Sequence, residues 1–337
     1  MDHSRYSRQM LFAPIGEEGQ KKLSESKVLI VGAGALGTVI SNHLVRAGVG
    51  KLRIVDRDYV ELSNLQRQTL FDEKDVEDAL PKAVAAKKKL TKMNSLVDVE
   101  AIVGNVSNET IDEYITGIDV VLDGTDNFST RFILNDACYK YNIPFSYGGV
   151  VSSRGMSAFF VPGETPCLRC ITSPGAENGQ TCDTVGVISP AVDIAASYQV
   201  TETLKYLTGN QKHLRNTLKT FDIWFNHHYD MKLTNPEPAC PTCQSEEYPS
   251  LKKSVSDEET VLCGRDTVQI HSKAAIDLVE WKERLSKVAN VQQTPFLLKV
   301  SINEDIKFVL FPDGRVLVQG TEDRVAARTW YDRYIGS

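Results

Sequence analysis

The stretch VLIVGAGALG (residues 28–37) constrains the fold most, because it places a glycine turn between an apolar run and a helical pattern. Gly32, Gly34 and Gly37 form a GxGxxG sequence, and Asp56 ends the next strand-like run. In this arrangement backbone amides and a helix N-terminus hold phosphates, while the acid binds a ribose hydroxyl. A turn made only for tight helix–strand packing is the alternative. The context favours a nucleotide site but does not identify the nucleotide.

Strand-like runs alternate with helical patterns through the first half of the chain. This alternation predicts an α/β fold with a Rossmann-like, doubly wound, mostly parallel sheet. Beyond Val150 the alternation of strands and helices becomes less regular, and the second half is rich in loops. Two cysteine pairs are expected to hold this half together by binding zinc. The polar segment 246–262 is typical of a linker. Residues 263–337 contain the turn sequence FPDGR and predict a small α/β C-terminal domain.

Charge and hydropathy exclude several classes of protein. The net charge of −6 argues against a general nucleic-acid binder, whose surface would be basic. The N-terminal sequence has no apolar segment typical of a signal peptide, and no run of about 18 apolar residues indicates a membrane span. We therefore expect a cytoplasmic protein with no nucleic-acid or membrane partner.

Polar residues that follow the second strand-like run favour a triphosphate over a dinucleotide. Asp58 and the sequence SNLQRQ come directly after this run, and Lys82 opens the next predicted helix. Asn64 offers an amide and Arg67 a forked set of donors, both of which suit phosphate oxygens. Lys82 adds a second cation to the same pocket. A surface ion pair is the alternative role for Arg67.

The sequence DGTDN (123–127) falls at the end of the fourth strand-like run, on the sheet edge that faces the ligand in open α/β folds. A carboxylate near a triphosphate is a preferred ligand of Mg²⁺. Asp126 is the better candidate, because Asp123 can turn back to cap its own loop. The alternative is that both aspartates only cap the following helix.

Four of the seven cysteines fall in two Cys-x-x-Cys pairs that lie far apart in the chain. Four thiolates suit a closed tetrahedral Zn²⁺ site, and a wide gap is no obstacle when the fold brings the pairs together. A redox-active role is the alternative, and it lacks a thioredoxin-like context. We predict a structural zinc site made of Cys167, Cys170, Cys240 and Cys243.

Five motifs taken together resemble the MoeB/ThiF family, bacterial relatives of ubiquitin-activating enzymes: RYSRQ, GAGALG, DRDYVELSNLQRQ, PKA and DGTDN. The resemblance covers residues 4–244 and implies an adenylation domain, with the zinc site, over 1–245. It further implies ATP-dependent adenylation of the C-terminal Gly-Gly carboxylate of a small ubiquitin-fold sulfur-carrier protein, with release of pyrophosphate. The carrier is ThiS-like or MoaD-like, for thiamine or molybdenum cofactor biosynthesis, and the motifs do not separate the two.

The resemblance also implies roles around the nucleotide. The three glycines form the nucleotide turn. The other implied roles are ribose binding by Asp56, phosphate binding by Asn64, Arg67 and Lys82, and Mg²⁺ binding by Asp126.

Two further roles depend on the resemblance. Asp58 resembles the family's direct nucleotide ligands less closely than the other residues do. It is expected to orient Arg67 or Lys82. Arg8, in RYSRQ, resembles an arginine that reaches the triphosphate from the neighbouring subunit, which implies a homodimer. Such an arginine would neutralise charge that develops on the α-phosphate and on the leaving pyrophosphate.

Cys182 matches a family cysteine that precedes a Gly-Val-x-x-Pro segment. In some relatives this cysteine forms a covalent link to the carrier; a loop cysteine with no chemical role is the alternative. After Cys263 the chain contains no cysteine, so the C-terminal domain is expected not to be rhodanese-like. The sulfur donor is then expected to be a separate protein.

Three other functions compete with this interpretation. An NAD-dependent oxidoreductase would explain the glycine turn, but Arg67 and Asp126 argue against it. A non-catalytic scaffold that binds a ubiquitin-fold partner would not need Arg8 and Lys82 as well. A relative that adenylates a tRNA base would be expected to have a basic face, which the net charge does not support.

Overall fold

The computed structural model describes residues 3–172, 185–252, 259–262, 266–272 and 274–336. The chain divides into two compact units, Met1–Lys253 and Ser254–Ser337. Each unit is described by itself below. Among the described residues, no helix combines the length and the apolar character that crossing a lipid bilayer demands.

The first unit consists of nine helices and eight strands within the described residues. In chain order they are α1 (His3–Met10), α2 (Gly16–Glu25), β1 (Lys27–Val31), α3 (Ala35–Ala47), β2 (Lys51–Asp56), α4 (Glu73–Glu77), α5 (Lys82–Met93), β3 (Asp98–Val103), α6 (Ile111–Ile115), β4 (Val120–Asp123), α7 (Phe128–Lys140), β5 (Phe145–Val151), β6 (Arg154–Phe160), α8 (Leu168–Ile171), α9 (Ser189–Leu207), β7 (Thr217–Asp222) and β8 (His227–Lys232).

These strands form one sheet in the order β3-β2-β1-β4-β5-β6-β7-β8. The pairs from β3 to β5 are parallel, and the pairs from β5 to β8 are antiparallel. The predicted Rossmann-like α/β fold is confirmed. The strand order reverses between β1 and β4, and ligands bind beside such a switch point in open α/β sheets.

The centre of the sheet is apolar because its strands are covered on both faces. In β1 the residues Val28, Leu29 and Ile30 are fully buried, as a central parallel strand requires. Val31 pairs in register with Val55 on one side and with Asp123 on the other. The segments that leave β1, β2 and β4 therefore meet at one edge of the sheet.

The second unit is a six-stranded antiparallel sheet with two helices. Its elements are β9 (Glu259–Leu262), β10 (Thr267–His271), α10 (Leu278–Leu285), β11 (Asn290–Gln293), β12 (Leu298–Ser301), β13 (Lys307–Leu310), β14 (Arg315–Gln319) and α11 (Arg324–Tyr334). The strand order is β11-β12-β13-β14-β10-β9. The FPDGR sequence joins β13 to β14 as predicted, with Gly314 at φ +90°. Phe308 and Val318 belong to the buried core of this unit.

Candidate nucleotide-binding site

Two of the three turn glycines are required by close backbone approach. Gly32 has φ +91°, and a Cβ on it would lie 2.6 Å from the carbonyl oxygen of Gly124. A Cβ on Gly37 would lie 1.8 Å from the carbonyl oxygen of Gly32. Any side chain at either position would force the end of β1 away from α3 or from the segment after β4.

Gly34 differs, because the space above it is open. A Cβ there would meet no atom closer than 3.8 Å, so packing within the protein does not require glycine. Gly34 is also the N-cap of α3, and its lack of a side chain leaves the amides of the first helical turn available to a ligand. An open cradle at a helix N-terminus suits the negative charge of a phosphate.

Asp56 fixes the turn from the neighbouring strand. One carboxylate oxygen accepts from the amide of Ala33 at 2.6 Å, and the other accepts from the amide of Asp58 at 2.7 Å. Burial raises the pKa of the Asp56 carboxyl, and the charge of Lys82 opposes that rise. Each oxygen keeps a second acceptor position, which is what a ribose hydroxyl needs.

Lys82 and Asp58 form an ion pair beside the turn. The Lys82 Nζ lies 3.2 Å from Asp58 Oδ2, and the Lys82 amide donates to the Asp58 carbonyl oxygen at 2.8 Å. The lysine side chain is buried, and α5 begins at this residue. The structure therefore shows Asp58 in contact with Lys82, one of the two residues that it is expected to orient.

The segment between β2 and α4 carries the other polar residues. Asn64 is buried, and its Oδ1 accepts from the amide of Glu61 at 3.2 Å. Arg67 is half-buried and donates from Nη1 to the carbonyl oxygen of Ser63 at 2.9 Å. One polar atom of the Asn64 side chain and one of the Arg67 side chain therefore form hydrogen bonds within the local turn. The remaining donors of the guanidinium suit phosphate oxygens.

The two aspartates of the DGTDN sequence have different surroundings. Asp123 is fully buried and accepts from the Thr125 amide at 2.8 Å, from Thr125 Oγ1 at 2.7 Å and from Arg131 Nε at 2.9 Å. Asp126 is exposed at the mouth of the loop. The helix cap comes from Asn127, whose Oδ1 accepts from the Thr130 amide. Of the two aspartates, Asp126 is therefore the one that a cation can reach from solvent.

Sequence reasoning missed Arg131, whose guanidinium is buried next to this loop. Besides Asp123, it donates to the carbonyl oxygens of Thr125 at 2.8 Å and Gly148 at 3.1 Å. It also lies over the rings of Phe128 and Tyr147. Arg131 thus ties the loop before α7 to β5. The available signal was an arginine one turn into a helix with few other charges.

The four paired cysteines form one cluster. Their sulfur atoms all lie within 4.8 Å of one another, with 3.5 Å between Cys167 and Cys240 and 3.4 Å between Cys170 and Cys243. Zinc–sulfur bonds of about 2.3 Å at tetrahedral angles give sulfur separations of about 3.8 Å, so the cluster fits zinc. The prediction that the fold brings the two pairs together is confirmed. Burial raises the pKa of Cys243 to about 12, and a bound cation would oppose that rise.

Asp136 connects the two halves of this cysteine cluster. It is fully buried and accepts from both Arg169 Nε and Nη2 at 2.9 Å, next to the first pair. It also accepts from Thr242 Oγ1 at 2.7 Å, inside the second pair, and from the Ser250 amide at 2.8 Å. A single carboxylate on α7 therefore orients both cysteine turns.

Arg8 lies far from the nucleotide turn of its own chain. Tyr6, on the same helix, accepts a hydrogen bond from Asn94 Nδ2 at 2.8 Å and packs against Gly48. Gly48 and Asn94 are the C-caps of α3 and α5. The turn lies at the opposite end of α3, which has 13 residues and is therefore about 20 Å long.

Cys182 lies outside the described residues, so its covalent role stays a prediction. Cys263 lies outside them as well.

Comparison with known proteins decides the family. The ThiF family profile matches residues 6–242, which is most of the chain. This chain belongs to the ThiF family. Similar proteins are named adenylyltransferases. These names favour an adenylyltransferase over an oxidoreductase as the explanation of the glycine turn.

Two similar relatives are named adenylyltransferases of sulfur carrier proteins. The sulfur carrier protein ThiS adenylyltransferase of Bacillus subtilis is 46% identical over 336 residues, which are 98% of this chain and 99% of that protein. The sulfur carrier protein adenylyltransferase of Thermus thermophilus is 36% identical over 269 residues, 77% of this chain and 96% of that protein. The first match thus includes the C-terminal unit.

Solved structures support the ThiF-type fold. A structure of MccB from Escherichia coli with MccA has a TM-score of 0.65 and 25% identity, over 72% of this chain and 75% of that one. A structure of PaaA has a TM-score of 0.58 and 23% identity, over 69% of this chain and 74% of that one.

Proposed function

We propose that this chain uses ATP to adenylate the C-terminal carboxylate of a small sulfur-carrier protein that ends in Gly-Gly, with release of pyrophosphate. The observation that carries the proposal is the buried Lys82–Asp58 ion pair beside the open cradle at Gly34. A buried cation next to a helix N-terminus suits a ligand with several negative charges. The adenylyltransferase names of the similar relatives support the same reaction.

Different residues of the site bind different parts of the nucleotide. The amides at the start of α3 hold a phosphate over Gly34, and Asp56 holds the ribose. Lys82, Arg67 and Asn64 hold the remaining phosphates. Asp126 is the side chain that would hold Mg²⁺, which supplies charge neutralisation on the phosphates when bound.

The reaction requires no nucleophile from the enzyme. A carboxylate oxygen of the carrier attacks the α-phosphorus, the bond from that phosphorus to the bridging oxygen breaks, and pyrophosphate leaves with the electron pair. An acyl adenylate of the carrier remains. The contribution of the protein is to hold the reactants in line and to stabilise the charge that develops on the phosphates.

ATP–pyrophosphate exchange tests the function directly. We expect exchange of labelled pyrophosphate into ATP only when a Gly-Gly carrier is present, and none with the same carrier lacking its last glycine. Exchange without a carrier, or no exchange with either a ThiS-like or a MoaD-like carrier, would contradict the proposal. We favour the ThiS-like carrier and thiamine biosynthesis, because the Bacillus subtilis relative that shares the whole chain is named for ThiS. A separate protein then donates sulfur.

We also propose that the active form is a homodimer in which Arg8 completes the site of the partner. Arg8 is exposed on α1, and α1 packs at the end of α3 and α5 that is remote from the nucleotide turn. A side chain cannot span the length of α3. A contribution of Arg8 to catalysis therefore requires a second copy of the chain.

Mixed dimers test this arrangement. We expect Arg8→Ala and Lys82→Ala homodimers to be inactive, because each lacks a residue in both sites. A heterodimer of the two variants, isolated through different tags, carries one complete site and should recover about half of the wild-type exchange activity. A heterodimer as inactive as its parents would show that Arg8 acts on the site of its own chain, and an active Arg8→Ala homodimer would show that Arg8 acts on neither site.

A further inference from the structure

Gln68 is a buried side chain whose amide oxygen has no hydrogen-bond partner among the described residues. Only 4% of the residue is exposed, and its Oε1 is buried without a hydrogen bond to any residue that the structure describes. Its backbone is fixed, because its amide donates to the Asn64 carbonyl oxygen at 2.9 Å and its own carbonyl oxygen accepts from the Phe71 amide at 3.1 Å.

An unsatisfied amide in this position is unfavourable for the protein alone. Burial removes the hydrogen bonds that the amide makes with water, and folding replaces them only if a partner is present. Folded proteins leave few such groups, and those that remain call for an explanation such as a bound ligand. A glutamine amide offers two donors and an acceptor with two lone pairs, so a ligand with phosphate and hydroxyl oxygens can satisfy both ends.

The amide is directed at the open cradle. Gln68 Nε2 lies 4.0 Å from the position of a Cβ on Gly34, where packing within the protein leaves the space free. The N-terminus of α3 faces the same space. Gln68 also follows Arg67 directly, so one short segment brings a guanidinium and an amide to the site.

We propose that Gln68 is a nucleotide-positioning residue. Its Nε2 donates to an oxygen of the phosphate that occupies the cradle at Gly34, and its Oε1 accepts from a hydroxyl or an ordered water that enters with the nucleotide. The amide oxygen is thus kept desolvated in the protein alone and gains a partner when ATP binds. This inference rests on the proposed ATP site and adds to it a contact that fixes the phosphate relative to α3.

The test is the substitution Gln68→Met, which keeps the length of the side chain and removes both polar ends. We expect the Kd for ATP, measured by titration calorimetry without a carrier, to rise about 10- to 100-fold. The KM for the carrier should not change. The thermal midpoint of the empty protein should stay the same or rise, because the variant no longer buries an unsatisfied amide.

Two further variants sharpen this test. Gln66→Met changes an exposed glutamine in the same segment and should leave the Kd for ATP unchanged. Gln68→Glu keeps the shape but replaces the donor by a negative charge next to the phosphates, so it should weaken ATP binding more than Gln68→Met does.

Distinct outcomes separate this inference from the proposed function. If Gln68→Met binds ATP within about twofold of the wild type, or lowers the thermal midpoint of the empty protein, Gln68 is structural and the inference is wrong. If the wild type binds ATP but exchanges no pyrophosphate with any carrier, the proposed function fails while the Gln68 result stands. A wild-type protein that does not bind ATP overturns both.

Discussion

The substitution Lys82→Met is expected to lower carrier-dependent ATP–pyrophosphate exchange by about 100- to 1000-fold. Lys82 is buried, held 3.2 Å from Asp58, and placed at the start of α5 beside the glycine turn. Its ammonium group is in place before ATP arrives, so we expect it to stabilise negative charge on the phosphates without reorganisation. Methionine keeps most of the side-chain volume and removes the charge.

Two controls separate catalysis from stability. Lys89→Met breaks a similar ion pair on the same helix, with Asp75 at 3.1 Å, and should leave exchange unchanged. The double variant Lys82→Met with Asp58→Asn removes the carboxylate that the single variant leaves uncompensated, so it should recover stability but not activity. Recovery of exchange in the double variant, or near-normal exchange in Lys82→Met, would show that Lys82 serves the fold and not the phosphates.

The substitution Cys243→Ser is expected to abolish zinc binding and to lower the thermal midpoint by about 10 °C or more. The four clustered cysteines could hold zinc in a closed site, and the metal would then join segments that lie far apart in the chain. Without it, four sulfur atoms that face one another, two of them in buried residues, would have no cation to compensate them. Metal analysis of the purified protein, before and after chelation, should show about one zinc per chain that is lost together with the thermal midpoint.

A lone cysteine provides the control for this prediction. Cys138 is buried on α7 and is not part of the four-sulfur group, so Cys138→Ala should keep the zinc content of the wild type. A wild-type protein that contains no metal and yet keeps its thermal midpoint in chelator would contradict the zinc assignment.

The parallel half of the first unit could be predicted from the sequence, because each strand there is a short apolar run followed by a helix with regular spacing. KVLIV and its glycine turn are sufficient to place β1 and α3. The antiparallel strand β8 could not be predicted, because HHYDMK is a mostly exposed edge strand whose only sequence constraint is its pairing with β7. Helices α1 and α2 were also missed; α1 is very polar, and its position depends on Tyr6.

The site could be predicted as far as motif spacing defines it. The position of Asp126 at the mouth of the loop follows from the sheet edge at which β4 ends. The clustering of the four cysteines follows from their arrangement in two Cys-x-x-Cys pairs. Arg131 and Gln68 could not be predicted, because their importance depends on which polar atoms the fold buries and which it leaves without partners. The spacing of residues in the sequence does not show which polar atoms the fold buries without a partner.

Helix α7 connects two parts of the molecule that the proposals treat separately. Its first turn bears Arg131, which fixes the loop with Asp126, and further along it bears Asp136, which fixes both cysteine turns. Because the helix is continuous, we expect a loss of order around the cysteines to reach the loop that carries Asp126. If the cysteines hold zinc and the glycine turn binds ATP, as proposed, we expect a chain deprived of zinc to lose ATP binding before it unfolds.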